Sequence, residues 1–210
     1  MSYILNNPGD LLGFFGEHLQ LTLLSLGIAL LLGLPLGIAG ARVAWLRSVL
    51  LGLFGVIYTI PSLALLVLLI PLTGLSQTTA IIALVAYAQL VLVRNTIVGL
   101  TGVDPAVIEA ARGMGMGNWQ RFWRVELPLA LPLILAGVRV AAVSIVGIGT
   151  VAAFISAGGL GTLLFDGLRT SNNQKVVAGA IAVALLAALL NIGIRALERR
   201  VTLAIYGEEA

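Results

Sequence analysis

Five stretches of this chain, residues 19–41, 49–72, 78–100, 129–155 and 176–196, stay apolar over the roughly 20 residues that a helix needs to cross a hydrocarbon core. Composition closes off the soluble alternative. The chain is 60% hydrophobic and 10% charged, against about 25% charged in a soluble domain, and its mean hydropathy is +1.09. So little polar surface cannot cover a soluble globule, and the outer face has to meet lipid. Backbone groups in lipid must bond within their own segment, so the runs are expected to be helices. The predicted fold class is an all-α integral membrane protein with five transmembrane helices. Pro61 falls inside the second run and predicts a kink there.

Basic residues set the expected orientation. Arg42 and Arg47 follow the first run, Arg112, Arg121 and Arg124 lie between the third and fourth, and Arg195, Arg199 and Arg200 follow the fifth. If the runs alternate in direction, these all fall on one side, while the other side has only Arg169 and Lys175. The bias puts the N-terminus outside and the C-terminus in the cytoplasm. The expected division is an external segment 1–18, a transmembrane domain 19–196 containing a cytoplasmic loop 103–128, and a cytoplasmic tail 197–210. No Lys or Arg precedes Arg42, so the basic region of a cleaved signal peptide is missing. The pI near 9.8 does not point to nucleic acid, because the basic residues are dispersed along the chain at the ends of apolar runs. Glycine is abundant, and Gly27, Gly33, Gly37, Gly40, Gly137, Gly147 and Gly149 in the first and fourth runs are expected to let helices approach closely.

The cytoplasmic loop is the longest on its side. Asp104-Pro105 offers an N-cap followed by proline at the first helical position, and residues 106–112 are good helix formers. Gly113-Met114-Gly115-Met116-Gly117 should stop that helix. Asn118 can cap a second short helix over 119–125, which Leu127-Pro128 ends as it starts the fourth span. Met114, Met116, Trp119, Phe122 and Trp123 are apolar knobs that suit a protein partner. The same residues also suit an amphipathic segment lying at the headgroup level, and physical chemistry alone leaves both readings open.

Glu109-Ala110-Ala111, Gly113 two positions on, and Leu127-Pro128 after a spacer resemble the EAA loop of ABC importer permeases. Further segments resemble the osmoprotectant branch of that family. They are Thr59-Ile60-Pro61-Ser62-Leu63-Ala64-Leu65, Val93-Arg94-Asn95-Thr96, Gly102-Val103-Asp104-Pro105 and Ala157-Gly158-Gly159-Leu160-Gly161. Leu90-Val91-Leu92 stands where that branch has proline, which removes the basis for a kink in the third run. The resemblance implies the type I importer permease fold, with Glu109, Ala110, Ala111, Gly113, Met114 and Gly115 forming a coupling helix that receives force from an ATPase. It implies two ATP-binding subunits, a second permease copy or related permease, and a bacterial inner-membrane location. It also implies a cargo such as glycine betaine, carnitine or choline. With the chain ending at Ala210, the extracytoplasmic substrate-binding protein is expected to be a separate molecule. A permease for an amino acid such as methionine is the alternative within the class.

The residues themselves exclude several chemistries. Lys175, preceded by Gln174, is the one lysine, and no glycine-rich turn leads into Gly-Lys-Ser/Thr, so ATP hydrolysis is expected on another subunit. No Asp or Glu falls within the five runs, which argues against a proton-driven carrier but leaves a sodium-driven carrier or a passive channel open. With no cysteine and one histidine, His18, no metal site, cofactor or catalytic constellation is expected, and a membrane enzyme has nothing to work with. Arg94 and Arg139 lie within runs and read as snorkelling cations, or as partners of Asp104, Glu109 or Glu126. Thr59, Ser62, Tyr87, Asn95, Ser144 and Thr150 are candidates to line a translocation path, and Tyr58 and Tyr87 could offer ring faces to a cation. A short external helix is expected over 160–168.

Overall fold

The computed structural model describes residues 7–207, and their regular structure is entirely helical. Helix α1 runs over Pro8–Arg42, α2 over Ala44–Thr59, α3 over Ser62–Thr73 and α4 over Gln77–Thr101. The loop contributes α5 (Pro105–Gly113), α6 (Asn118–Arg121) and a π-helical turn over Phe122–Glu126. Helix α7 (Leu127–Ala152) follows, then a 3-10 turn over Ala153–Ile155, α8 (Leu160–Arg169) and α9 (Asn173–Tyr206).

Helix α4 is the hub, flanked by α1 and α7, with α2 and α3 laid along it and α9 on the far side of α7. The reason lies on α1, where His18, Thr22, Ser25, Ala29, Gly33, Gly37 and Gly40 are all buried at spacings of three and four. From Thr22 on the stripe is made of small residues that let α4 come close, while His18 bonds to Val146 O of α7. A Cβ added at Gly37 would lie 2.5 Å from the Thr96 Cβ, and one at Gly137 of α7 would lie 2.5 Å from the Asn95 Cβ. Gly33 and Gly40 also meet α4 side chains, whereas Gly27 and Gly147 face open space and serve no helix contact within the chain.

Helix α1 begins at Pro8, so the expected external segment is helical and continuous with the first span from that residue on. Likewise α9 continues through the start of the expected tail to Tyr206. Residues 1–6 and 208–210 of those two segments lie outside the described residues. Helix α4 is unbroken through Leu90-Val91-Leu92.

The second span departs most from expectation. Pro61 does not kink a helix but ends one: Ile60 and Pro61 are extended, and α2 and α3 meet at 99°. Proline bars the helical conformation at the residue before it. The pair still follows α4 along its length. Leu50 and Phe54 pack with Val93 and Ile97, Tyr87 reaches Ile60, and Leu66 packs in the cluster of Ala80, Ala83 and Leu84. Four described helical spans are long and apolar enough to cross a membrane, and the α2–α3 pair, taken as one broken span, makes five.

Candidate coupling site

The loop begins as its residues dictate. Asp104 Oδ1 accepts the Ala106 N–H at 2.8 Å, and Pro105 opens α5. The helix carries through Gly113 and closes with Met114 N–H donating to Ala110 O and Met116 N–H to Ala111 O. Gly115 then takes φ +78°, a left-handed conformation that a side chain would strain.

The second half of the loop differs from the expected short, separate helix. Gly117 occupies the N-cap position and Asn118 is the first helical residue, with no side-chain cap. The helix of the fourth span starts at Leu127-Pro128 as expected, but no break precedes it. A π turn leads straight into α7, with Leu127 N–H donating to Phe122 O. Such a wide turn inserts one residue into the ladder and accommodates a proline, which has no N–H to give. The loop is therefore mechanically continuous with α7.

On α5, Glu109, Ala110 and Gly113 are exposed while Ala111 is buried against the chain. Ala111 thus positions the helix, and the other three present its outer face. Met114 is 69% exposed and Trp119 75%. A Cβ added at Gly113 would meet nothing within 4 Å, so nothing inside the chain requires glycine there. Glu109 has no ion pair among the described residues.

Beneath this face lies an arrangement that sequence reasoning did not find. Glu126 is 3% exposed, and its carboxylate lies between two guanidiniums. Arg121 Nε donates to Oε1 at 2.7 Å, and Arg42, at the end of α1, donates to Oε2. The Arg42 guanidinium also stands over the Phe122 ring, 5.4 Å from its centroid. Trp119, Phe122 and Trp123 stack edge to face or tilted around it. The knot ties the loop to α1, as the π turn ties it to α7. Arg139 pairs with Glu198 of α9 at 3.0 Å rather than with a loop carboxylate. Arg94 is exposed, as a snorkelling cation would be.

The path candidates are not gathered into one lining. Thr59 and Ser62 flank the break in the second span, and Tyr87 reaches it at Ile60. Thr59 is exposed and bonded to Val56 O, while Tyr87, 5% exposed, donates its hydroxyl to Ile60 O. Tyr58 and Tyr87 stack edge to face with centroids 6.0 Å apart. Asn95 and Thr150 bond to carbonyls of their own helices, Val91 O and Val146 O, and Ser144 is half-buried on α7.

Residues 33–203 match the family described as binding-protein-dependent transport system inner membrane component. The chain belongs to that family. It is 42% identical to the osmoprotectant import permease protein OsmW of Salmonella typhimurium, over 90% of either chain. It is 37% identical to OpuCB, a permease protein of the glycine betaine/carnitine/choline transport system of Bacillus subtilis, over 96% of this chain and 93% of that one. Among solved structures, a chain of the inward-facing MetNI methionine ABC transporter superposes with a TM-score of 0.77 at 25% identity, covering 91% of this chain and 96% of that one. This family member is a transport subunit of the inner membrane, an ABC importer permease that works with ATP-binding subunits and a substrate-binding protein.

Proposed function

We propose that this permease carries osmoprotectants such as glycine betaine, carnitine or choline inward, using ATP hydrolysed on two separate nucleotide-binding subunits. What carries the substrate reading is the name of the Bacillus subtilis relative, at 37% identity over 96% of this chain. Two permease copies, or this chain and a related one, enclose the path at their interface, with Thr59, Ser62, Tyr87, Asn95, Ser144 and Thr150 as candidates along it. The N-terminus lies outside and the C-terminus in the cytoplasm, a separate extracytoplasmic protein delivers the substrate, and residues 103–128 lie on the cytoplasmic side.

The outer face of α5 is the coupling surface. Glu109, Ala110, Gly113, Met114 and Gly115 enter a cleft on the ATP-binding subunit, with Ala111 holding the helix from behind. Exposed Met114 and Trp119 and the empty space at Gly113 support this reading. When the two ATPase subunits close, α5 is displaced. The π turn passes the movement to α7, and the Glu126–Arg42 bond passes it to α1.

The test is co-purification with the ATP-binding subunits, followed by uptake into proteoliposomes supplied with the binding protein. ATP-dependent accumulation of choline or glycine betaine is expected. Accumulation of methionine instead would move the chain to the amino-acid reading, which the fold of the methionine transporter keeps in view. Uptake without ATP would replace the coupled mechanism with a channel or secondary carrier.

A further inference from the structure

The chain has six phenylalanines, and three of them, Phe14, Phe154 and Phe165, line one cleft of about 820 Å³. They come from α1, the 3-10 turn and α8, so the cleft exists only in the folded bundle. It lies at the end of α7 remote from the coupling segment, about 1.5 Å per residue along a 26-residue helix. Its volume is that of a small-molecule site.

The cleft is also charged. Glu17 and Asp166 stand in its wall together with Arg169. Glu17 Oε2 accepts the Gly159 N–H at 2.8 Å, which fixes the carboxylate against the glycine turn, where Gly158 and Gly159 both have φ +79°. Glu17 has no cationic partner among the described residues. Asp166 accepts from Arg169 at 2.6 Å in a pair that is largely exposed. The lining carries two carboxylates and one guanidinium. Phe154 is 60% exposed, and its ring meets Phe165 edge to face at 5.9 Å.

Aromatic faces beside a carboxylate attract a cation that has no N–H to donate. A quaternary ammonium cannot be held by hydrogen bonds, and ring quadrupoles with a nearby negative charge are its natural partners. We propose that this cleft is a receiving site for quaternary ammonium compounds. The methylated nitrogen lies against Phe154 and Phe165 beside Glu17, and the carboxylate of a zwitterionic betaine competes with Asp166 for Arg169. The proposal rests on the osmoprotectant reading above and assigns it a site. The exposed Phe154 ring suits brief occupancy by substrate handed over from the binding protein.

The experiment uses the assembled transporter in lipid nanodiscs without its binding protein, probed with choline and glycine betaine by saturation-transfer NMR. Uptake is measured in parallel with the binding protein present. Phe154→Ala and Glu17→Gln should each weaken choline binding about 3- to 10-fold, within the range of one cation–aromatic or charge contact, and Phe154→Tyr should restore it. Glutamine at position 17 keeps an acceptor for the Gly159 N–H, so the turn survives. Arg169→Gln should shift the preference about 5-fold toward choline over glycine betaine, a change that a merely structural role would not produce. Wild-type uptake of choline with binding unchanged in Phe154→Ala, Glu17→Gln and Arg169→Gln overturns the cleft assignment alone. No quaternary ammonium uptake by the wild type overturns the substrate reading beneath it.

Discussion

A carboxylate buried as deeply as that of Glu126 stays charged because the buried Arg121 faces it, with the half-exposed Arg42 as a second cation. Removing the carboxylate charge leaves the buried Arg121 guanidinium uncompensated, a loss of about 3–5 kcal/mol, while Arg42, 45% exposed, keeps its water. Glu126→Gln is expected to lower the thermal stability of the purified permease by roughly that range, read as an earlier unfolding transition. An unshifted transition would mean that water reaches the knot. Gly113 is the opposite case, since its Cβ position is empty. Gly113→Glu should insert and fold at the wild-type level yet lose ATP-dependent uptake, or release the ATP-binding subunits during purification. Normal uptake in that variant would remove α5 as the coupling surface.

At the scale of elements, the broken second span has to satisfy the carbonyls that a continuous helix would have used. A free carbonyl in a bilayer is costly, and Tyr87 supplies a donor to Ile60 O from the neighbouring α4. Tyr87→Phe keeps the ring and its contact with Tyr58 but removes the hydroxyl. It should cost about 1–3 kcal/mol, the penalty of an unsatisfied buried acceptor, measured by unfolding in detergent. Close approach of α1 and α4 depends on the stripe of small residues, where Gly37 leaves no room for a side chain against Thr96. The sequence predicts glycine packing for Gly27 and Gly147 as well. The structure turns both away from neighbouring helices, because hydropathy marks a residue as membranous without saying which face it takes.

Over the whole molecule, force applied at α5 has two routes, the π turn into α7 and the Glu126–Arg42 bond into α1. Arg42→Ala severs the second and leaves Glu126 with Arg121, so the fold should survive. The expected result is an assembled transporter that hydrolyses ATP with several-fold less substrate moved per ATP, measured in proteoliposomes. An unchanged ratio would place all of the transmission in α7. The cleft of Phe14, Phe154 and Phe165 stands just beyond the far end of the same helix, so α7 spans the distance between the two proposed sites.

Much of this was legible in the chain because the physics involved is local. Apolar run length sets which segments are membrane helices, and Asp104-Pro105 starts α5 through contacts within two residues. The short helix expected over 160–168 appears as Leu160–Arg169 behind its glycine turn. The EAA resemblance likewise rests on residues within the one stretch 109–128. Pro61 marked the site of a disturbance, but its size was settled by Tyr87, 27 residues on, which makes a full break tolerable. Nor could pattern alone bring Arg42 to Glu126 across 84 residues, or join the short loop helix to the fourth span through a π turn. The phenylalanines at 14, 154 and 165 were likewise separate in the sequence. By itself the sequence determined a helical membrane protein with a capped loop helix, because solvent preference and capping act within a few residues. Which helices meet, which charges pair and where a cleft opens were decided only by tertiary structure, because those energies exist between segments that sequence order keeps apart.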